Sequence, residues 1–304
     1  MAIVDVVDGS YALRRPLAFS ASPVDRASEH REDAEWLDAA WRNGRTGVLV
    51  VADGRAPVAD GALALVRPSE APDGERFLLG VDSDGAAYFA VHVAGPHPDS
   101  RAMTLREASV RLNERDGGLM VHAVALANWH ANHRHCARCG APTMVAAAGH
   151  LRRCPVDGSE HYPRTDPAVI VLVTDDRERC LLGRHPDWPV GRFSTLAGFV
   201  EPGETPEQAV VREVREETRV VVESTTYAGS QPWPFPSNLM LGYYARAAGD
   251  EPRPDGHEIS DARWFSRADL AAAIRSGEVK VPPSVAISRR LIEGWYGTDL
   301  PINS

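Results

Sequence analysis

The chain has 304 residues, 43% of them hydrophobic, and a formal net charge of −9. That apolar content suffices for two compact domains plus a small module, and the acidic balance argues against non-specific nucleic-acid binding while leaving room for a local basic patch. No stretch approaches ~18 uninterrupted apolar residues, and the opening MAIVDVVDGS lacks the basic start and apolar core of a leader, so the expected compartment is the cytoplasm.

The first part of the chain alternates short apolar runs with Gly, Pro and Asp: TGVLVVADG, DGALALVRP, RFLLGVDSDG and AAYFAVHVAG. These read as strands joined by turns. His92 and His97 read as strand and loop surface residues rather than ligands. From Thr104 the pattern turns helical, through TLREASVRLN and GLMVHAVALANWHANH. His130, His133 and His135 close that stretch, where the helix dipole favours histidine.

A cysteine module follows. Cys136-x-x-Cys139-Gly140 and Cys154-x-x-Asp157-Gly158 have the outline of two zinc knuckles, fourteen residues apart. A structural zinc takes four ligands, mostly thiolates and imidazoles, and the second knuckle lacks its second cysteine. Asp157 and His161 are the candidates for the fourth position. Either the site holds zinc with a mixed ligand set, which is the preferred reading, or it has lost the metal and kept the fold. Cys180, in ERCLLGRH, reads as a buried strand residue of the next domain.

The densest signal is GFVEPGETPEQAVVREVREETRV, Gly198 to Val220. A loop opens into a helix on which Glu213, Glu216 and Glu217 stand at i, i+3 and i+4 and so share one face. Three like charges there repel unless a cation sits among them, and hard divalent ions take oxygen ligands of this kind. The glycine, the glutamate and the helix recur at the spacing G-x5-E-x7-R-E-U-x-E-E-x-G-U, with U aliphatic. On these residues the chain resembles the Nudix hydrolases. One fixed position departs: Arg219 stands where the family has a helix-ending glycine.

Downstream, SQPWPFPSNLM (Ser230–Met240) alternates prolines with Trp233 and Phe235. Each proline removes a ladder donor, so the segment reads as a rigid loop rather than a central strand. It resembles the S-Q-P-W-P-F-P-x-S motif of the NADH pyrophosphatase branch, with Asn238 replacing the final serine. Tyr162-Pro163, the cysteine module and the AISRRLIEGW helix extend the resemblance over about residues 130–297.

The resemblance implies an α+β protein: a strand-rich N-terminal domain (1–128), a zinc-ribbon-like module (129–164) and a C-terminal α/β/α Nudix sandwich around a mixed sheet (165–304). It implies hydrolysis of the pyrophosphate of NAD(H) to NMN(H) and AMP, and removal of an NAD cap from an RNA 5′ end, since the cleaved bond is the same. Mg²⁺ or Mn²⁺ would be held by Glu213, Glu216, Glu217 and Glu258, with Arg212 orienting a carboxylate. Glu258 reads equally as general base or as a surface acid, with Asp261 as runner-up. Substrate contacts fall to Phe199, Tyr162, Gln231, Trp233, Asn238, Met240 and Ser288. Zinc would rest on Cys136, Cys139 and Cys154. A homodimer would enclose one base between Phe199 and Tyr162 by stacking. Two rivals remain: a broad ADP-ribose or nucleotide-sugar pyrophosphatase, and a non-catalytic nucleotide-sensing Nudix protein.

Overall fold

The computed structural model describes residues 11–20, 22–249 and 251–301. The first ten residues, read above as lacking a leader, lie outside the described residues. The chain forms two compact units. One joins the residues up to Leu17 with Asp166–Gln231 and the chain from Leu239 onward; the other joins Ala18–Thr165 with Pro232–Asn238. The cysteine-bearing segment, expected as a module of its own, therefore groups with the N-terminal strands.

In this second unit α1 (Ala34–Arg42) precedes β1 (Gly47–Val51), β2 (Arg55–Ala59), β3 (Ala62–Leu63), β4 (Glu75–Val81), β5 (Ala87–His92) and β6 (Ala102–Thr104). Two helices follow, α2 (Leu105–Ala108) and α3 (Glu114–Asn132). β1 runs parallel to β5, and β4 antiparallel to it, while β2 carries β3 and β6. Side-chain alternation explains why these strands read as continuous apolar runs. Leu49, Val51, Phe77, Leu79, Tyr88 and Ala90 face a core shared with Leu119, Met120 and Ala123 of α3. Val48, Leu78, Phe89 and Val91 face the opposite side, against Trp36, Leu37 and Trp41 of α1. A strand-rich region whose sheet is covered by helices on both faces is thus the plan of the N-terminal part.

The ribbon adds β7 (Met144–Ala146), β8 (Leu151–Arg153) and β9 (Glu160–His161), a small antiparallel sheet. Its anchor corrects the helix-dipole reading of His130. That ring is buried, stacks on Phe77, donates through Nε2 to the Gly149 carbonyl (2.8 Å) and accepts from Arg152 Nη1 at Nδ1 (2.8 Å). Burial holds it down at about 4, so it is neutral and cannot serve the dipole as a cation. His133 does sit at the helix end, with Nδ1 3.1 Å from the Trp129 carbonyl.

The first unit contains β10 (Asp166–Thr174), β11 (Cys180–Arg184), β12 (Leu196–Phe199), α4 (Pro206–Thr218), β13 (Val222–Trp233), β14 (Asn238–Ala247), β15 (Asp261–Phe265), α5 (Arg267–Arg275) and α6 (Ile287–Tyr296). The sheet order is β13-β14-β10-β11-β15, with β12 antiparallel to β10. Again alternation builds two cores. Val169, Val171, Val173 and Leu181 pack with Ala209, Val210 and Val214 of α4. Ile170, Leu172, Cys180 and Leu182 pack with Leu270, Ile274, Leu291 and Trp295 of α5 and α6. This is the expected α/β/α sandwich, and Cys180 is one of its fully buried strand residues. The expected proline loop is corrected in part: β13 continues through Pro232 to Trp233. It lies at the edge of the sheet, where a missing ladder donor is tolerated.

His130 predicts acid sensitivity. Its folded pKa lies below the unfolded value of about 6.5, so between pH 6.5 and 4 the unfolded chain binds a proton that the folded chain refuses. Stability should fall on acidification through that window, by on the order of 3 kcal/mol in full. Urea midpoints at pH 7.5 and 5 check this: the lower midpoint should be at pH 5, and His130→Phe should reduce the difference, leaving the share of His122 and His150, which burial also holds down.

Candidate active site and metal sites

The α4 helix is specified locally. Thr205 is its N-cap, forming a capping box with Gln208, and Pro206 occupies the first turn, where a missing N–H costs nothing. Arg219 ends the helix at φ 63°, ψ 4°, the left-handed geometry that glycine adopts most readily, and its N–H closes onto the Arg215 carbonyl. The departure from glycine therefore leaves the turn intact. The chain then returns to this end: Asp255 and Arg253 donate their N–H groups to the Glu217 and Thr218 carbonyls.

That return places Glu258. One Asp255 oxygen, Oδ1, accepts the N–H groups of His257, Glu258 and Ile259 at 2.9–3.2 Å, folding the loop before β15 into a tight turn. Burial works against the Asp255 charge, yet these donors hold its carboxyl below the usual range. Nothing in the sequence pattern distinguished Asp255 from other loop acids.

Glu213, Glu217 and Glu258 each offer an oxygen within 4.8 Å of the others. Glu213 and Glu217 are buried and Glu258 is exposed. Glu216, although on the same helix face, does not join them; its carboxylate points outward and pairs with Arg212 Nη1 at 3.1 Å. Asp261, the other candidate base, instead holds Arg263. Burial first, then the charges of Glu213, Glu258 and Asp255, push Glu217 up to about 9. Its Oε2 is buried without a hydrogen-bond partner. An orphaned carboxylate oxygen among carboxylates is the donor set a hard divalent cation fits.

Arg212 braces this cluster with all five of its N–H groups. Nε and Nη2 clasp Glu204 (both 2.8 Å), Nη1 reaches Glu213 (2.8 Å) and Glu216, and Nη2 also reaches the Phe199 carbonyl (2.8 Å). The bidentate partner is thus Glu204 of the loop, which fastens the loop to the helix. Gly198 completes the arrangement: a Cβ there would lie 1.9 Å from the Glu213 carboxyl carbon. The signature glycine is needed for space, not for turn geometry.

The substrate candidates fall into different surroundings. Phe199 and Tyr162 are exposed, 56% and 68%, and the Tyr162 hydroxyl donates to Glu160. Gln231 is buried with its amide engaged by backbone, donating to the Val285 carbonyl and accepting from Ile287 N, which ties down the start of α6. Ser288 is buried in the first turn of that helix. Met240 packs on the α5/α6 core. Trp233 meets Phe235 edge to face at 5.1 Å, and Asn238, half-buried, opens β14.

The two cysteine knuckles are congruent. In each, the glycine N–H returns to the carbonyl of the first cysteine (Gly140 to Cys136, Gly158 to Cys154), with φ of 76° and 71°. In each, that cysteine's N–H bonds five residues on, to Ala141 and to Ser159. Asp157 thus occupies the place in the second turn that Cys139 has in the first. Cys139 and Cys154 sulfurs lie 3.5 Å apart, and Cys136 Sγ lies 3.6 Å from Asp157 Oδ2. Arms of about 2.3 Å to sulfur and about 2.0 Å to oxygen put tetrahedral ligands about 3.5–3.8 Å apart. All four ligand atoms lie within 4.8 Å of one another; His161 is outside this group and bonds Ser159 Oγ.

Comparison with known proteins agrees with this architecture. The NUDIX domain matches residues 164–284, the NADH pyrophosphatase zinc ribbon domain 131–162, and the NADH pyrophosphatase-like rudimentary NUDIX domain 21–129. A Mycobacterium bovis protein described as NAD-capped RNA hydrolase NudC is 39% identical over 303 residues, covering 94% of this chain and 96% of that one. The human NAD-capped RNA hydrolase NUDT12 is 39% identical over 245 residues, 75% of this chain and 52% of that one. A solved NUDIX hydrolase from Nitrosomonas europaea aligns at TM-score 0.40 and 20% identity over 55% of this chain and 95% of its own. The chain belongs to the Nudix hydrolases, in their NADH pyrophosphatase branch.

The close approach at Gly198 yields a test. Gly198→Ala forces the Glu213 carboxylate away from its place. Turnover should fall at least about tenfold, the scale of losing part of a preorganised charge cluster. Steady-state kinetics beside a thermal melt will check it; wild-type turnover would mean that Glu213 has another position available.

Proposed function

We infer that this enzyme hydrolyses the pyrophosphate of NAD(H) to NMN(H) and AMP and removes NAD caps from RNA 5′ ends, working as a cytoplasmic homodimer. The observation that carries the reading is the Glu213–Glu217–Glu258 cluster with its orphaned Glu217 oxygen, set on the family signature. Relatives described as NAD-capped RNA hydrolases, similar over nearly the whole chain, support the substrate.

Glu213, Glu217 and Glu258 are the residues proposed to hold Mg²⁺ or Mn²⁺. Bound there, such a cation supplies neutralisation of the pyrophosphate oxygens and lowers the pKa of a coordinated water. The chain's own residues do the rest. Arg212 and Glu204 keep the loop at one distance from the helix, so the carboxylates need no reorganisation during reaction. Glu258, at the exposed rim, is the carboxylate proposed to take the proton from the attacking water. That water's oxygen bonds to one phosphorus as the bridging P–O bond breaks, and the departing phosphate carries away the bridging oxygen. Phe199 and Tyr162 present free aromatic faces suited to stacking on a base.

Glu217→Gln tests the site. Turnover on NADH with Mg²⁺ should fall by at least about 100-fold. The melting temperature in chelator should not fall, because Glu217, pushed up to about 9, is already largely neutral without a cation and the amide matches its size. A panel of NADH, NAD⁺, ADP-ribose and NAD-capped RNA at equal concentration reads the substrate: ADP-ribose as the best substrate would favour the broader pyrophosphatase, and no turnover of any would favour a sensor.

Zinc is proposed for Cys136, Cys139, Cys154 and Asp157. The Asp157 oxygen Oδ1 is taken by the N–H and hydroxyl of Ser159 (2.9 and 2.6 Å), leaving Oδ2 toward Cys136. A ligand oriented through its second oxygen is the usual outer-shell arrangement. Elemental analysis of chelator-free protein should find about one zinc per chain, reduced in Asp157→Ala and retained in Asp157→Cys. No zinc in folded wild-type protein would leave the ribbon standing on packing alone.

A further inference from the structure

The tip of the β13–β14 hairpin, Pro232–Asn238, groups with the accessory unit, and two side chains of that unit hold it. Pro232, Pro234 and Pro236 have no N–H, so the tip cannot close a ladder of its own through these positions. Its carbonyls need donors from elsewhere. Asn128, half-buried on α3, supplies them: its Nδ2 donates to the Pro234 and Pro236 carbonyls at 3.1 and 3.2 Å. From α2, the exposed Arg106 lies over the rings of Phe235 and Trp233, 4.5 and 5.4 Å from their centroids. Phe235 also packs against the core that α3 shares with the sheet. One side chain fixes the tip's backbone and the other its aromatic faces.

The geometry points to Asn128 and Arg106 as positioning residues for substrate recognition, holding Trp233 in the orientation in which it meets a flat ring of the dinucleotide. This rests on the reading of the proline–aromatic motif as a substrate-reading segment. It assigns the rudimentary NUDIX unit a task in the reaction: keeping that segment preorganised, so that binding does not have to order it. A released tip would spend only part of its time in the competent arrangement, and apparent affinity falls by that fraction. The glutamate cluster is untouched, so the loss belongs in KM and not in kcat.

Steady-state kinetics on NADH with full-length protein test this. Asn128→Ala and Asn128→Asp, which remove the donors or turn them into a repelling acceptor, should raise KM about tenfold with kcat held within about twofold. Arg106→Ala should do likewise, and Arg106→Lys, which keeps a cation over the rings, should recover most of the loss. In a double-mutant cycle, Asn128→Ala should add nothing to Trp233→Ala, because it acts through that ring. A fall in kcat at unchanged KM, or effects that multiply in the cycle, would overturn the proposal. If Asn128→Ala does not fold, the exposed Arg106 variants carry the same test. Trp233→Ala with unchanged KM sinks both the clamp and the reading of the motif; a raised KM there, with Asn128 and Arg106 variants unaffected, sinks only the clamp.

Discussion

The arrangement of the first unit turns on one electrostatic problem, the gathering of three carboxylates on one small patch of helix and loop. Glu217 carries most of the cost, buried with an oxygen that nothing in the protein satisfies. A group so placed is destabilising by itself, since out of water it must either stay ionised without a partner or take up a proton. The surroundings limit that cost without removing it. Arg212 spends its whole donor set on two carboxylates of the helix, one of the loop and one carbonyl. The loop glycine yields space to Glu213, and Asp255 folds the loop that carries the third carboxylate, Glu258. The residual imbalance is one that a bound cation would relieve.

Both units solve the burial problem in the same way, with a sheet whose two faces are covered by helices. In each, adjacent residues of one strand belong to different cores: Val48 and Leu49 in one unit, Val169 and Ile170 in the other. The N-terminal unit keeps this plan without a comparable carboxylate helix: among its described residues, the metal-compatible group is the one in the ribbon.

Much of this was legible in the residues. The spacing of Glu213, Glu216 and Glu217 announces α4, the apolar runs define the strands, and the repeated knuckle spacing announces the ribbon. What escaped has a common cause. Helical spacing puts Glu213, Glu216 and Glu217 on one face but cannot say which of them the tertiary packing turns inward. His130 looked like a helix-end cation because its buried partners, Gly149 and Arg152, lie about twenty residues away. Pro232 argued against a strand because edge position is a property of the sheet, not of the segment. Asn128 and Pro234 are 106 residues apart, and no local pattern joins them.

The interleaving of the two units along the chain has a consequence for how the protein can be divided. Tyr11, Leu13 and Leu17 pack into the α5/α6 core of the Nudix unit, although the matched NUDIX segment starts only at residue 164. The hairpin tip, inside that segment, makes its contacts with α2 and α3. A fragment cut at the boundary that sequence similarity suggests would therefore leave an apolar face bare at one end and an unanchored loop at the other. Each unit takes into its packing a strip of chain that lies outside its own matched segments, so they are two in packing and one in covalent inheritance.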